Sequence, residues 1–331
     1  MTDTKYAGLS PALVETVAGL SAGSMATLAV HPLDIVKTRM QVYRSTYTSS
    51  PTPLTTIAIL RALLQTDRPV SALYRGLTPN LLGNATSWAS FFFFKSRFER
   101  AIACIRSSAT RDGQKRGNHR LTPLDFFLAS LLSGIATQLL TNPIWVLKTR
   151  MLALDASAQG AYPSMLSGAR QLLRDEGWKG FYRGLGVGML AVSHGAVQFA
   201  VYEPGRRLWV AAAERVRRSR GTSESNREAA LSNEATVVLS TVSKLVAGTV
   251  TYPLQVLRSR LQYHEAERVF GRGLRGVVGQ LWREEGVRGF YRGLVPGVVR
   301  VMPATWVTFL VYENVKWYLP RWIGEREIRV V

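Results

Sequence analysis

Ionisable side chains stand inside otherwise apolar stretches of this sequence, and their spacing decides what they can do. Asp34 and Lys37 lie three residues apart in Pro32-Leu33-Asp34-Ile35-Val36-Lys37, at the end of a long apolar run. Three residues is close to one helical turn, so acid and base share a face. The pattern returns as Pro143-Ile144-Trp145-Val146-Leu147-Lys148 and as Pro253-Leu254-Gln255-Val256-Leu257-Arg258. Three such faces around an axis let the acid of one helix meet the base of the next. A charge in a membrane is costly unless paired or wet, so a ring of pairs at the bottom of a cavity closes it. The alternative is that these charges cap separate helix ends at an interface. Arg300 sits in mid-span between Val298-Val299 and Val301-Met302, where an arginine must face water or an anion. This is chemistry of binding. A catalytic reading would need a nucleophile–base or metal constellation. None stands out: the histidines are scattered at 31, 119, 194 and 264, Cys104 is alone, and no glycine-rich phosphate loop occurs. No catalytic residue, metal or cofactor is expected.

The elements that position these residues follow from an internal repeat. The prolines of the three motifs are 111 and 110 residues apart, and a second marker, Tyr74-Arg75-Gly76, Tyr182-Arg183-Gly184 and Tyr291-Arg292-Gly293, recurs after 108 and 109. A fixed period of this size marks a repeat architecture. Three modules result, 1–110, 111–225 and 226–331. Hydrophobic residues make up 47% of the chain, while 42 Lys and Arg against 22 Asp and Glu give a net charge of +20. Apolar and basic blocks alternate, as in a membrane protein with cationic loops. Because the basic residues are dispersed among loops, a nucleic-acid partner is not expected. Two long apolar runs per module predict an all-α protein with six membrane helices near 11–41, 77–103, 121–152, 185–213, 235–262 and 294–319, and both termini on one side. Gly19 and Gly23 permit close helix approach. The proline in each motif should kink its helix, unless the helix simply ends there. Residues 54–65 read as a short amphipathic interfacial helix. Segments 105–120 and 214–234 read as charged connectors. The single cysteine rules out an intrachain disulfide. Residues 1–10 lack the pattern of a leader, so any organelle address is expected within the remaining chain.

The triple motif P-x-[DE]-x-x-[KR]-x-[KR], followed by aromatic-[KR]-Gly at a period near 100, resembles the mitochondrial carrier family over almost the whole length. The resemblance implies a threefold pseudo-symmetric six-helix barrel in the mitochondrial inner membrane. It also implies a central site between a matrix gate and a cytoplasmic gate that open alternately. Carried over, the matrix gate consists of Asp34, Lys37, Trp145, Lys148, Gln255 and Arg258, with Trp145 and Gln255 where acids belong. Asp34 is then left to pair with Lys148, Gln255 to hydrogen-bond Lys37, and Trp145 to offer Arg258 a cation–π contact. The gate should be weaker than a full ring. The cytoplasmic gate carries over as Tyr202, Glu203 and Arg206 with Tyr312, Glu313 and Lys316, Glu203 and Lys316 forming the regular pair. In the first module it degenerates to Phe94-Lys95-Ser96-Arg97, leaving Lys95 to reach a neighbouring glutamate. Arg75, Gly76, Arg183, Gly184, Arg292 and Gly293 match the family's cardiolipin-binding helix starts. An interfacial anchor with a glycine turn is the compatible, blander reading.

Family contact points fall on Gly83 with Asn84, Ala191 with Val192, and Arg300 with Val301. Lys244, Gly248 and Gln255 are separated by 4 and 7 residues and share a helical face, so Lys244 should look into the same cavity as the gate. Snorkelling of Lys244 to an interface is the alternative. Two cations in one funnel favour an anionic cargo with phosphate or carboxylate groups. Asn84, Trp88, Ser193, His194, Gln198 and Trp306 add hydrogen-bonding and ring-stacking groups, although a packing role suits His194 better. Asn142-Pro143-Ile144-Trp145, Gly83-Asn84, Ser193-His194-Gly195-Ala196-Val197-Gln198-Phe199 and Arg300-Val301-Met302-Pro303-Ala304 look like the branch that carries FAD, folate, NAD and pyrimidine nucleotides. FAD is the first choice there and folate the second. A monomer closed by its own pseudo-threefold is expected, and a non-transporting receptor built on the same repeat stays open as the contrary reading.

Overall fold

The computed structural model describes residues 11–44, 55–109, 121–158, 160–219 and 233–330, and no strand occurs among them. The first module contains α1 (Pro11–Val42), α2 (Thr56–Leu64), α3 (Pro69–Leu73) and α4 (Leu77–Ala109). The second contains α5 (Pro123–Ala153), α6 (Met165–Gly180), α7 (Leu185–Ala191) and α8 (His194–Ser219). The third contains α9 (Asn233–Val250), α10 (Tyr252–Gln262), α11 (Ala266–Phe270), α12 (Gly273–Gly289), α13 (Leu294–Val299) and α14 (Val301–Val330). Each module is thus a long helix, a short surface helix or two, and a second long helix. The bundle closes on itself because α4 packs on α5, α8 on α9, and α14 back on α1.

Among the described residues three helical stretches are long and apolar enough to cross a membrane, Leu124–Ala153, Leu185–Arg215 and Leu294–Leu319, and the bent pair Ala235–Val250 with Tyr252–Gln262 adds a fourth. The helices α1 and α4, at 32 and 33 residues, match these in length. They are more charged, with Glu15, Asp34, Lys37 and Arg39 in the first and Lys95, Arg97, Glu99 and Arg100 in the second. Composition therefore marks four spans, and the expected six require these two to cross on length. Large apolar side chains, among them Phe92, Phe126, Phe127, Leu140, Val237, Phe309 and Leu310, stand on the outside of the bundle, where hydrocarbon would cover them.

The motif prolines differ in effect. Pro32 and Pro143 lie inside unbroken helices. In the third module the chain breaks at Thr251 and turns by 50° before Pro253. The even helices of modules two and three break as well, at Val192-Ser193 and at Arg300, whereas α4 runs through. The connectors proved partly helical, since α4 extends to Ala109 and α8 to Ser219. Their remainders, with residues 1–10 and both module boundaries, lie outside the described residues.

Between the second and fifth places after each motif proline stand two apolar residues, and these build the core. Ile35 and Val36 pack on Ile59 and Leu63 of α2; Val146 and Leu147 pack near Leu172 of α6; Val256 and Leu257 pack with Phe270, Val277 and Leu281 of α11 and α12. One helical face is pinned to the short helices, so the flanking charges are forced toward the axis. The expected amphipathic segment forms α2: Thr55 caps it, Ile59 and Leu63 are buried, and Ile57 and Leu64 remain exposed.

A charged cavity at the centre of the bundle

At the axis lies a cavity of about 540 Å³, lined by Asp34, Lys37, Asn80, Asn84, Trp145, Lys148, Ala191, Lys244, Gln255, Arg258, Arg300 and Val301 among others. Five of the lining residues are cationic and one, Asp34, is anionic. Asp34 is the hub of the floor. It accepts from Asn80 Nδ2 at 3.1 Å, pairs with Lys148 at 3.7 Å, and receives Nη1 of Arg300 from the opposite end of the chain. Lys37 donates to Gln255 Oε1 at 2.8 Å, so both expected contacts of α1 are made.

Trp145 behaves differently from expectation. Its ring lies 4.9 Å from Lys148 Nζ, while Arg258 turns toward Gln138 and donates to Oε1 at 3.3 Å. The reason is geometric: Gly83 leaves room for the indole edge, which would stand 3.3 Å from a Cβ there, and the ring is drawn toward α4 and away from Arg258. Gly83 is thus a packing residue beside the cavity.

Of the other expected contact residues, Lys244, Arg300 and Asn84 line the cavity, and Asn84 hydrogen-bonds Thr27 and Asn80. Val192 packs on Gly134 instead, and Ser193 caps Leu190 O at 2.6 Å. His194 Nδ1 meets Thr251 Oγ1 at 3.0 Å, tying α8 to the break between α9 and α10. Gln198 is half-buried outside the cavity lining. Trp88 and Trp306 are 65% and 69% exposed, Trp88 stacking on Phe92. The break at Val192-Ser193 accounts for Ser193, His194 and Gln198, because it rotates the residues that follow out of register with Ala191.

At the opposite mouth the pair expected between Glu203 and Lys316 is not made. Lys316 lies 3.9 Å from Glu15 and 5.6 Å from the Tyr312 ring, Glu203 lies 3.4 Å from Arg207, and Lys95 lies 3.8 Å from Glu99 on its own helix. Tyr202 is half-buried, and Arg206 and Glu313 are exposed. The motif end of the bundle is closed by a cluster of inter-helix contacts around Asp34, whereas Glu203 and Lys95 at the other mouth pair within their own helices.

Two further threefold sets appear that residue types alone did not reveal. The residue before each motif proline bonds the carbonyl of the Tyr-Arg-Gly arginine in its own module: His31 to Arg75 O at 2.9 Å, Asn142 to Arg183 O at 3.3 Å, Tyr252 to Arg292 O at 3.0 Å. The arginine seven places after each proline reaches into the next module: Arg39 to Leu152 O at 3.3 Å, Arg150 to Gln262 O at 3.0 Å, Arg260 to Gln41 O at 3.0 Å. The second base of the motif was the available signal, since it is arginine all three times.

The profile of the family described as mitochondrial carrier protein matches residues 9–104, 119–212 and 230–321. The chain belongs to the mitochondrial carrier family. It is therefore a solute transporter and not an enzyme. Over 315 residues it is 38% identical to the mitochondrial FAD carrier protein of Saccharomyces cerevisiae, covering 93% of this chain and 97% of that one. It is 34% identical over 301 residues to folate transporter 1, chloroplastic, of Arabidopsis thaliana, covering 90% and 92%. It is 30% identical over 319 residues to mitochondrial nicotinamide adenine dinucleotide transporter 1 of Saccharomyces cerevisiae, covering 93% and 78%. In this mitochondrial carrier the Tyr-Arg-Gly arginines are engaged by protein groups: Arg75 donates to Met151 O and Tyr162 O, Arg183 pairs with Glu176 and Glu267, and Arg292 pairs with Glu285. Their glycines adopt φ of 70°, 70° and 81°, a left-handed turn that other residues adopt only with strain. A cleft of about 780 Å³ lies beside Tyr74, Gly76 and Leu77 and reaches Ser164 and Met165 at the start of α6.

Proposed function

We propose that this carrier moves FAD across the mitochondrial inner membrane by alternating access through the central cavity. The observation that carries the reading is the charge of that cavity: Lys37, Lys148, Lys244, Arg258 and Arg300 against Asp34 alone, a net of +4. Such an excess in a water-filled pocket of ordinary ligand size selects an anion. A diphosphate between ring systems suits it, with Trp145 and the amides of Asn80 and Asn84 at hand for stacking and hydrogen bonding. The similarity to a protein named as an FAD carrier supports the same choice. Folate is the second reading, favoured by the similarity to a folate transporter and by carboxylates that satisfy the same cations.

In this reading the floor at Asp34, Lys37, Trp145, Lys148, Gln255 and Arg258 is the matrix gate. Glu203, Lys316 and their neighbours Tyr202, Arg206, Lys95, Tyr312 and Glu313 form the gate at the other mouth, open in this conformation. Arg300, Lys244 and Asn84 bind the cargo. Six spans, a monomeric transporter and cardiolipin at the Tyr-Arg-Gly turns complete the proposal. The cleft beside Gly76 supports the last point, because two helix starts, those of α4 and α6, meet there and helix starts suit phosphate. The test is exchange of labelled FAD by the purified protein in liposomes, with folate and NAD in parallel. FAD exchange is expected, and Arg300→Ala should lower its kcat/KM by about 30-fold, on the order of 2 kcal/mol. Exchange of folate but not FAD would replace the first reading by the second. No exchange of any of them would leave the receptor reading.

A further inference from the structure

We infer that Arg258 is a second anion-binding subsite at the floor of the cavity, filled by the cargo in place of a carboxylate that the chain does not supply. The inference rests on the anionic cargo proposed above, whether its second anionic group is a phosphate or a carboxylate.

The counter-charges in the cavity are unevenly shared. Asp34 serves both Lys148 and Arg300. Lys37 has Gln255 at 2.8 Å and the Tyr252 ring at 5.6 Å. Arg258 has a single neutral acceptor, Gln138 Oε1, which takes only Nη1. Its Nε and Nη2 are shielded from solvent and find no hydrogen-bond partner among the described residues. These two N–H groups form one edge of the guanidinium, the edge that binds a carboxylate or phosphate through two parallel hydrogen bonds. A guanidinium keeps its charge at any ordinary pH, so it cannot escape the deficit by losing a proton.

The deficit traces to a single position. Trp145 stands two residues after Pro143, where the first motif has Asp34, and gives its ring to Lys148. An acid at 145 would lie on the helix next to Arg258 and neutralise it. With tryptophan there, a lone buried cation faces the cavity, and a cargo that carries a second anionic group completes the ring. Arg300 and Lys244 hold one anionic group, and Arg258 takes the other.

The experiment uses the full-length purified carrier and measures Kd from ligand-dependent thermal stabilisation, together with KM and turnover in liposomes. FAD, folate and NAD are titrated against the wild type, Arg258→Gln, Arg258→Lys and Trp145→Glu. For whichever of the three binds the wild type best, Arg258→Gln should raise Kd by about tenfold or more. Arg258→Lys should restore part of the loss, because it returns the charge without the fork. Trp145→Glu should weaken binding too, although Arg258 is intact, because the new carboxylate competes with the cargo. A residue acting in the gate alone would alter turnover and leave Kd unmoved, and an unchanged Kd in Arg258→Gln overturns the inference while the transport reading survives. Strong binding of folate with none of FAD, lost in Arg258→Gln, would sink the FAD reading and keep the subsite. If none of the three stabilises the wild type, both fail.

Discussion

Two rings drawn from the same motif behave in opposite ways. The upper ring, at the second and fifth places after each proline, has decayed: Asp34 is its one acid, and Trp145 and Gln255 fill the other two places. The lower ring, at the seventh place, is complete, and Arg39, Arg150 and Arg260 each bind a backbone carbonyl of the next module. Arg150 and Arg260 also meet Glu176 and Glu285, each at 2.7 Å. The lower ring needs only a main-chain carbonyl, which every sequence provides. The upper ring needs side-chain acids, and it faces the central cavity. Contacts that close the bundle and the charge of the cavity are thus carried by different residues of the same motif, and the second can change without loss of the first.

Substitutions in each ring test the division. Arg260→Ala should have the largest effect on stability, about 3 kcal/mol, because the buried Glu285 would keep Arg292 alone as its ion-pair partner and the Gln41 carbonyl would lose its donor. Thermal unfolding in detergent measures it. A loss no greater than that from Lys37→Gln would mean that the two rings are not energetically distinct. Next, Gln255→Glu should restore a charged pair to Lys37 and slow turnover roughly fivefold, on the order of 1 kcal/mol of added gate strength. A faster variant would show that the floor does not limit the cycle. Arg39→Ala should cost less than its two counterparts, about 1 kcal/mol or below, because Asp155 is 53% exposed and solvent screens the pair. The smallest effect is one of pH. Hydrogen bonds from Arg44 hold the Glu284 carboxyl below the usual glutamate range, outside the membrane spans. Its contribution is present above the unfolded-state pKa near 4.3 and is lost as pH falls through the lower folded value. Unfolding temperature should therefore fall on acidification through that window, and less so in Glu284→Gln.

Much of this was written into the chain. The period of the prolines pointed to three modules, and the three-residue spacing from Asp34 to Lys37 put both charges on one helical face. The resemblance to the carrier family matched Asp34 with Lys148 and Lys37 with Gln255. The placing of Lys244 and Arg300 in one aqueous cavity followed from the cost of a charge in hydrocarbon. Tertiary structure decided what depends on distances between remote segments. The helix breaks at Val192-Ser193 and at Thr251 took Ser193, His194 and Gln198 away from the lining, and no periodicity announces a break whose compensation lies on another helix. Gly83 admitted the Trp145 ring and so separated it from Arg258. Arg300 reached Asp34 across 266 positions of sequence, a contact set by how the last module closes on the first. Local rules specify faces and charges; only the packed bundle determines which of them meet.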